Sequence, residues 1–364
     1  MLVAGGGLAG GAVAALLARS GMSVLLLERT GGPKDKMCGE FLSIEAQHHL
    51  DAIGIDVAAM GAVPVDHIRL VAGGRTTETR LPFVARGISR RRLDEALLLC
   101  AERAGAQVER GVRVMEIGAG SVRTSEGERH ADAIMLATGK LPVREPTRTE
   151  AAAVPDAHVG FKMHWRASAR VREQLEGRIE LILFAGGYAG LQLVDGGTAN
   201  LCLVMRRSRF AALGGRWEDI VASLGALSPA LDACLDAEPL FDKPLTVANL
   251  AYGRMARDRT DGRVFRLGDQ AAMTASLTGD GMAIALRSAW LAARFLLAGR
   301  TAADYHRALE RMVGPQVRRG MILQRATEMP LLRQAGLGLL RMQPRLLRTI
   351  TAMTRLPDLA PGLS

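Results

Sequence analysis

A cluster of glycines at the start of the chain carries the first chemical signal. Gly5, Gly7 and Gly10 have the GxGxxG spacing and stand between a short apolar segment and an alanine-rich segment. In this arrangement the first glycine allows a tight turn, the second lets a pyrophosphate approach the backbone, and the third lets the helix pack closely on the strand. Glu28 ends the next apolar segment, where a carboxylate can bind a ribose. The pattern predicts a dinucleotide site and leaves NAD and FAD as alternatives.

The elements that must position these groups follow from hydrophobic patterning. The sequence predicts a strand at residues 2–4, a helix after the glycines, and a buried strand at residues 23–27. The N-terminus of that helix would direct free N–H groups toward the phosphates of a ligand. Further strands are predicted at residues 131–137 and 263–267, and a long helix at about 283–297.

Four segments match a known family in their order along the chain. They are the glycine fingerprint, the Arg-x-x-Leu-Asp segment that ends at Asp94, the Ala-Thr-Gly strand end at Gly139, and the Gly-Asp…Gly-Asp-Gly-Met segment that ends at Met282. With them the chain resembles the FAD-dependent oxidoreductases of the p-hydroxybenzoate hydroxylase and geranylgeranyl reductase group. Within it, the chain is most similar to bacterial secondary-metabolism enzymes of the flavin monooxygenase type. Those enzymes carry segments similar to residues 38–43, 160–164 and 186–192.

The resemblance covers about residues 1–300 and implies both the fold and the cofactor. It implies an α/β (α+β) fold in which a Rossmann-like FAD-binding domain carries an inserted β-sheet substrate domain and a helical C-terminal tail. An alternating pattern around a Gly-Gly pair at residues 73–74 predicts a hairpin that joins the second sheet. The predicted ranges are 1–65, 88–155 and 250–300 for the flavin domain, 66–87 and 156–249 for the substrate domain, and 301–364 for the tail.

The resemblance also implies which residues hold FAD. The glycine fingerprint and Glu28 would hold the ADP half, and Asp269 would bind a ribityl hydroxyl. Arg91, in preference to Arg90, would reach the pyrophosphate or ribityl region. The glycines that precede the long helix would lie against the pyrimidine edge, where the helix dipole favours an anionic reduced flavin. The full predicted set is Gly5, Gly7, Leu8, Ala9, Gly10, Glu28, Arg29, Cys38, Gly39, Arg91, Thr138, Gly139, Gly268, Asp269, Gly279, Asp280, Gly281 and Met282.

Three positions depart from the pattern of many aromatic hydroxylases. Thr138 stands where they have Asp, Ala272 where they have His, and Ser276 where they have Pro. In those enzymes the Asp is linked to both FAD and NAD(P)H binding, so this chain leaves the reductant open. Because the sequence has no second glycine fingerprint, NAD(P)H is expected to dock transiently.

Six side chains are candidates for the flavin or substrate cavity, and none is assigned a catalytic role. Cys38 either lines the cavity or is a small buried hydrophobe beside a glycine turn. Alternation along residues 161–165 places Lys162 and His164 on one strand face, which is either the cavity wall or a solvated outer face. Tyr188 and Tyr252 offer hydroxyls that could orient a substrate, or are buried and merely hydrogen-bonded. The six candidates are Cys38, Glu40, Lys162, His164, Tyr188 and Gln192.

Composition limits the class of protein and its partners. The 364 residues carry 47 basic and 37 acidic side chains, a formal charge of +10, which attracts anionic ligands, nucleic acids or membrane surfaces. Residues 321–355 form a basic, leucine-rich stretch. Packing over the flavin domain, contact with a second subunit, and docking on a membrane surface are alternatives for it. Its arginines have no aromatic companions, which disfavours nucleic acid.

The four cysteines and the N-terminus bear on compartment and metals. The cysteines are too widely spaced for a metal knuckle and too few for a disulfide scaffold. We therefore expect no metal and a reduced, cytoplasmic setting. Neither a signal peptide nor an apolar stretch long enough to span a membrane is expected from the sequence.

These features together define a working hypothesis with two alternatives. The chain is expected to be an NAD(P)H-dependent flavin monooxygenase that hydroxylates or epoxidises a small apolar or aromatic secondary metabolite through a flavin hydroperoxide. The protein would supply orientation, polarity and exclusion of water. The first alternative is a flavin-dependent reductase of an alkene, such as a prenyl or geranylgeranyl chain. The second is a flavin-binding scaffold without turnover.

Overall fold

The computed structural model describes residues 1–118, 120–141, 143–145, 156–256 and 262–357. The predicted flavin-domain boundary at residue 155 and the end of the predicted tail, residues 358–364, lie outside these ranges. The strands are β1 (Leu2–Ala4), β2 (Leu25–Glu28), β3 (Phe41–Leu42), β4 (Val63–Ala72), β5 (Arg75–Gly87), β6 (Gln107–Arg110), β7 (Val114–Ile117), β8 (Ser121–Thr124), β9 (Gly127–His130), β10 (Ile134–Leu136), β11 (His158–Arg166), β12 (Gly177–Phe184), β13 (Gly187–Val194), β14 (Thr198–Arg206), β15 (Leu245–Leu250), β16 (Arg254–Met255), β17 (Val264–Arg266) and β18 (Ala272–Met273).

Helices alternate with these strands in the first third of the chain and dominate the last. The helices are α1 (Leu8–Arg19), α2 (Ile44–Ala52), α3 (Arg90–Arg103), α4 (Ala169–Leu175), α5 (Arg207–Ala212), α6 (Trp217–Gly225), α7 (Pro229–Leu235), α8 (Gly281–Leu297), α9 (Ala302–Glu328), α10 (Pro330–Met342) and α11 (Pro344–Met353). Short 3₁₀ turns lie at Asp195–Gly197, Gly268–Gln270 and Ser276–Thr278.

The first sheet is parallel, with the strand order β17-β10-β1-β2-β6. One face packs on α1, α3 and α8, and the other packs on the three-stranded sheet β7-β8-β9. Because both faces are covered, the central strands are short and apolar, and β1 is completely buried. In parallel sheets of this kind, ligands bind beyond the carboxyl ends of the strands.

The second sheet has eight strands in the order β15-β11-β14-β13-β12-β4-β5-β3, and only the β12–β4 pair is parallel. The hairpin β4–β5 turns at Gly73 and Gly74, both at positive φ. On β11, Phe161 and Trp165 pack beneath the helices that cover one sheet face, as the alternating pattern predicts. The intervening Lys162 lies on the opposite face.

The helical tail covers parts of both sheets. α9 begins with a capping box formed by Thr301 and Asp304 and packs on α8 and β17. α10 and α11 pack against β5, and Leu337 and Leu347 join the apolar cluster on the second sheet. The basic stretch therefore packs mainly on the second sheet, and Leu356, just beyond the stretch, joins the core of the first sheet. Among the described helices, none combines the length and the hydropathy needed to cross a bilayer.

Candidate active site

A large cavity lies between the two sheets and beneath the helical tail. Its volume is about 970 Å³. Its polar end begins at the glycine turn between β1 and α1 and continues past β2, the 34–41 loop and the β10 end. Its apolar end, here called the chamber, is walled by the second sheet and by α10 and α11. The chamber side chains are Ile68, Leu70, Leu81, Ile179, Leu181, Leu183, Val204, Val247, Leu250, Leu337, Leu340 and Leu347.

The glycine turn at the polar end is held by close backbone contacts. Gly5 has φ +104, and a Cβ at this residue would lie 2.6 Å from the Ala137 carbonyl oxygen. A Cβ on Gly10 would lie 1.8 Å from the Gly5 carbonyl oxygen, so only glycine allows α1 to pack this closely. The first turn of α1 has neither a side-chain cap nor an acidic residue, and Leu8 and Ala9 line the cavity. Its free N–H groups therefore offer a binding site for an anion.

The end of β2 supplies the predicted carboxylate. Glu28 is buried and lines the cavity, as does Arg29. One Glu28 oxygen accepts a hydrogen bond from the Gly6 N–H at 2.7 Å, and the other accepts bonds from the backbone N–H and hydroxyl of Thr30. A carboxylate has about four acceptor positions. Glu28 is thus fixed beside the glycine turn and retains capacity for a ligand hydroxyl.

Arg90, rather than Arg91, brings positive charge to the cavity. The Arg91 side chain is 61% exposed and points away, with its nearest carboxylate, Asp35, at 3.9 Å. Arg90 lines the cavity and binds both oxygens of Asp94 at 2.8 and 2.9 Å, and Lys36 binds the same carboxylate at 2.8 Å. Burial opposes the charge on Arg90, but Asp94 outweighs it and raises the guanidinium pKa. Because α3 begins at Arg90, the helical period turns the next residue toward solvent.

An ion pair at the cavity joins the segments that follow the neighbouring strands β10 and β17. Lys140 binds Asp269 at 2.9 Å, and both line the cavity together with Thr138, Gly139 and Gly268. Burial opposes the charge on Lys140, but the attraction of Asp269 prevails and raises its pKa. Asp269, for which a ribityl contact is predicted, therefore presents a fixed carboxylate to the cavity.

The turn before α8 reaches the cavity through its backbone. Gly279, Gly281 and Met282 line the cavity, and α8 begins without a side-chain cap. Asp280 does not line the cavity, contrary to its predicted contact, because it points into the protein and pairs with Arg355 at 2.9 Å. Burial raises the pKa of Asp280 to about 6 despite this pair.

Glu40 lines the cavity and stands at the centre of a buried network that extends behind the cavity wall. One of its oxygens accepts hydrogen bonds from the Lys162 ammonium at 2.5 Å and from the Arg90 N–H at 2.8 Å, and the other bonds His164 Nε2 at 3.0 Å. Burial alone would raise the pKa of Glu40, but the His164 hydrogen bond and the Lys162 charge lower it. Glu40 has φ 59, a conformation that non-glycine residues adopt at a cost.

The same network fixes the loop that lines the cavity. Gln192 and Asn200 donate to the Gly39 carbonyl at 3.1 and 2.8 Å, and Lys162 donates to the Lys36 carbonyl at 3.1 Å. Cys38 and Gly39 lie between these anchors and line the cavity. Of the six predicted candidates, Cys38, Glu40 and Tyr188 line the cavity, whereas Lys162, His164 and Gln192 lie behind it.

The burial of Lys162 and His164 contradicts both predicted alternatives. Their strand face is neither a substrate wall nor a solvated surface, because the 36–40 loop covers it. Asp35, Glu40 and His164 bring ligand-type atoms within 4.8 Å of one another. Since Lys162 already neutralises Glu40, we interpret this group as an ion-pair network rather than a metal site.

Three hydroxyl groups form the polar boundary of the chamber. The Tyr188 and Tyr252 hydroxyls each lie 2.7 Å from the Ser276 hydroxyl. Burial raises the pKa of the Tyr188 hydroxyl well above its usual value, and it raises the pKa of the Tyr252 hydroxyl as well. Both phenols therefore stay protonated and can donate hydrogen bonds. All three residues line the cavity.

Several residues of the site were not singled out from the sequence, although lysine scarcity offered a signal. The chain has only five lysines. Lys34, Lys36 and Lys140 line the cavity, and Lys162 supports it. In a chain that otherwise uses arginine, four of the five lysines thus lie at this site, where they present compact ammonium groups.

Sequence relatives match part of the chain. No protein-family model matches it. A menaquinone reductase of Mycobacterium tuberculosis is 29% identical over 159 residues, which cover 41% of this chain and 38% of that protein. The flavin-dependent halogenase armH1 of Armillaria mellea is 34% identical over 125 residues, which cover 32% of this chain and 24% of that protein. The chain thus matches less than two fifths of the length of these relatives.

Solved structures match nearly the whole chain. The flavin-dependent brominase Bmp2 has a TM-score of 0.77 and 16% identity, and the match covers 97% of this chain and 92% of that one. A flavoprotein/dehydrogenase from Cytophaga hutchinsonii has a TM-score of 0.77 and 20% identity, with the same coverage. PqsL of Pseudomonas aeruginosa, a probable FAD-dependent monooxygenase, has a TM-score of 0.72 and 17% identity, with 92% and 98% coverage. At such identities the likeness shows the fold. The predicted fold class and the resemblance to the FAD-dependent oxidoreductases are confirmed.

Proposed function

We propose that the chain binds FAD and acts as a monooxygenase on an apolar or aromatic metabolite. The observation that carries this proposal is the continuity of the cavity, which joins a dinucleotide-type polar end to an apolar chamber. A ligand pocket with few polar groups in an apolar wall suits a small hydrophobic molecule.

The residues of the polar end fit FAD in their chemistry. Glu28 would accept ribose hydroxyls, and the free N–H groups of α1 would meet the pyrophosphate. Arg90 and Lys36 add two positive charges against the single charge of Asp94, which leaves net attraction for an anion. Asp269 would bind the ribityl chain. The uncapped start of α8 would meet the pyrimidine edge, where a helix N-terminus stabilises negative charge.

The chamber would orient the substrate and exclude water. Its aliphatic walls bind a substrate without fixing its orientation, and the hydroxyls of Tyr188, Tyr252 and Ser276 would orient a substrate carbonyl or hydroxyl. They stand beside the turn that leads to α8, where the reactive ring of the cofactor would lie. α10 and α11 close the far side of the chamber.

Bound FAD would supply the redox chemistry, taking two electrons from NAD(P)H and passing them to dioxygen. In the overall reaction one oxygen atom enters the substrate and the other leaves as water. The sequence has a single glycine fingerprint at a strand–helix turn, and FAD would occupy it. NAD(P)H would therefore dock transiently, and either nicotinamide cofactor is compatible with this proposal.

A second candidate is the reduction of an alkene in an isoprenoid chain. It is favoured by the chamber, whose walls are aliphatic and whose tail side is rich in leucine. The name of the Mycobacterium tuberculosis relative, menaquinone reductase, points in the same direction. In that reaction the double bond gains two hydrogens and NAD(P)H loses two electrons, with no use of dioxygen.

Oxygen labelling separates these candidates. The FAD-loaded protein would be incubated with NADPH or NADH under ¹⁸O₂, with and without halide, and offered small aromatic compounds and a prenylated naphthoquinone. A product that carries one ¹⁸O atom supports the monooxygenase. A saturated product formed without oxygen identifies the reductase, and a halogenated product identifies a halogenase. A flavin that no reductant bleaches would indicate a scaffold and overturn both enzyme proposals.

A further inference from the structure

The outer surface of the last two helices is apolar and strongly basic. Eight of the fourteen exposed large hydrophobic side chains in the described part of the chain lie between residues 322 and 353. Leu331 is 81% exposed and Met342 is 82% exposed, although both belong to the helix α10. The eight are Ile322, Met329, Leu331, Leu332, Leu339, Met342, Leu346 and Met353.

These side chains form stripes along α10 and α11. Leu331, Leu339 and Met342 recur at helical spacing on α10, and Leu346 and Met353 lie two turns apart on one face of α11. On α10 the chamber is lined by Leu337 and Leu340, which lie opposite the exposed stripe, and on α11 by Leu347 and Ile350, which adjoin Leu346 and Met353 on one broad apolar face. The protein covers only the chamber side of this apolar surface on each helix.

The charge on this surface has one sign. Residues 329–357 contain five arginines and no acidic residue. Arg333 and Arg355 turn inward, where they bind backbone carbonyls. Arg341, Arg345 and Arg348 are exposed and form no ion pair with the described residues. We call the outer face of α10 and α11, with these three arginines and the five stripe residues, the tail surface.

We propose that the tail surface docks on the surface of an anionic lipid bilayer. A membrane-surface helix combines an exposed apolar face with arginines, because the apolar side chains enter the headgroup boundary while the guanidinium groups bind lipid phosphates. The stripes and arginines meet both requirements. A second copy of the chain fits poorly, since two-fold pairing of this surface would set its arginines against one another. This inference does not depend on the redox chemistry proposed above.

The orientation that results would connect the bilayer with the chamber. The inner sides of α10 and α11 form chamber wall, so a molecule dissolved in the lipid would lie within one helix diameter of the cavity. The arrangement suits delivery of a lipid-soluble substrate directly from the bilayer.

Vesicle binding of the full-length protein tests the proposal. The protein would be sedimented with vesicles of phosphatidylcholine alone and of phosphatidylcholine with phosphatidylglycerol. Binding is expected only to the second kind and should weaken as salt is raised. Each arginine near an anionic surface contributes about fivefold to binding, so the triple variant Arg341→Gln, Arg345→Gln, Arg348→Gln should bind on the order of 100-fold more weakly.

Matched variants separate docking from a general effect of charge. The control is Arg75→Gln, Arg103→Gln, Arg207→Gln, which removes three exposed arginines that form no ion pair with the described residues and should bind as the natural protein does. A second test, Met342→Asp, leaves the arginines in place and should also reduce binding.

All of these positions are exposed, so thermal unfolding should confirm that the variants stay folded. Equal binding by the tail and control variants would overturn the proposal, as would absence of binding to anionic vesicles. A tail variant that instead turns a dimer into a monomer in light scattering would show that a second copy covers the surface.

Discussion

Replacing Lys162 by methionine would test the buried network behind the cavity. Methionine preserves the apolar length of the lysine and removes its charge. It would leave Glu40 fully buried, with its Lys162 partner missing and the loop contact at the Lys36 carbonyl lost. Removing one partner of a buried ion pair costs about 3–5 kcal/mol, because the remaining charge loses its compensation. We expect the free energy of unfolding to fall by that amount near neutral pH.

The exposed lysine elsewhere in the chain supplies the control. Lys243 is exposed and forms no ion pair with the described residues, so Lys243→Met should change stability by less than about 0.5 kcal/mol. Urea titrations of both variants and of the natural protein would give the difference, provided that the unfolding transitions have the same slope.

The pH dependence gives this prediction a second, independent readout. In the natural protein the pKa of Glu40 is lower in the folded state than in the unfolded state. The ionised carboxylate therefore stabilises the fold fully above the usual pKa range of glutamate, and this stabilisation is lost only as the pH falls through the lowered pKa of the folded state. Without Lys162, burial would raise that pKa, and Glu40 would take up a proton at higher pH. The loss of stability in the Lys162→Met variant should therefore shrink as the pH falls from neutral toward the usual glutamate range. A loss no larger than that of Lys243→Met, or one that does not change with pH, would refute the reasoning.

Three further substitutions test the polar end and the hydroxyl group. Gly10→Ala forces a Cβ against backbone at 1.8 Å and should abolish tight FAD binding in a flavin titration, whereas Gly31→Ala, with open space around it, should not. Arg90→Gln should raise the FAD dissociation constant about 10–100-fold, as expected for a lost charged hydrogen bond, and Arg91→Gln should leave it within about twofold; equal effects would remove Arg90 from the site. Tyr188→Phe should leave FAD binding unchanged and lower turnover of a polar-tipped substrate about 2–10-fold; an unchanged rate would exclude its hydroxyl from substrate binding.

The parts of the fold that repeat local rules could be predicted from the sequence. The β1–α1–β2 unit follows from glycine spacing and apolar runs, and the turn at Gly73 and Gly74 follows from their tolerance of positive φ. The alternation on β11 also predicted correctly that Lys162 and His164 share one face. Each of these inferences uses residues that are neighbours in the chain.

The environment of each face could not be predicted in the same way. Lys162 is 122 residues from Glu40 and 126 from the Lys36 carbonyl, and periodicity says nothing about what covers a strand face. Asp280 was expected at the cofactor because the resemblance implies that the whole Gly-Asp-Gly-Met segment contacts it, but Arg355 binds Asp280 from the tail, 75 residues later. In both cases the environment of the side chain is determined by residues that are distant in the sequence.

The positive φ of Glu40 explains why the network matters to the cavity. A non-glycine residue in this conformation costs about 1–3 kcal/mol, and the surrounding structure must supply that energy. At residue 40 the loop turns so that its carboxylate reaches Lys162 and His164 while its carbonyl accepts the Ile88 N–H at 3.2 Å. Glycine would relieve the backbone but would lose the carboxylate that joins the loop to the second sheet. Gly39 and the cavity-lining side of this loop lie between those contacts, so the buried ion pair holds the wall of the cavity in place. The strained conformation of Glu40 is retained because breaking the buried ion pair would cost more than the strain.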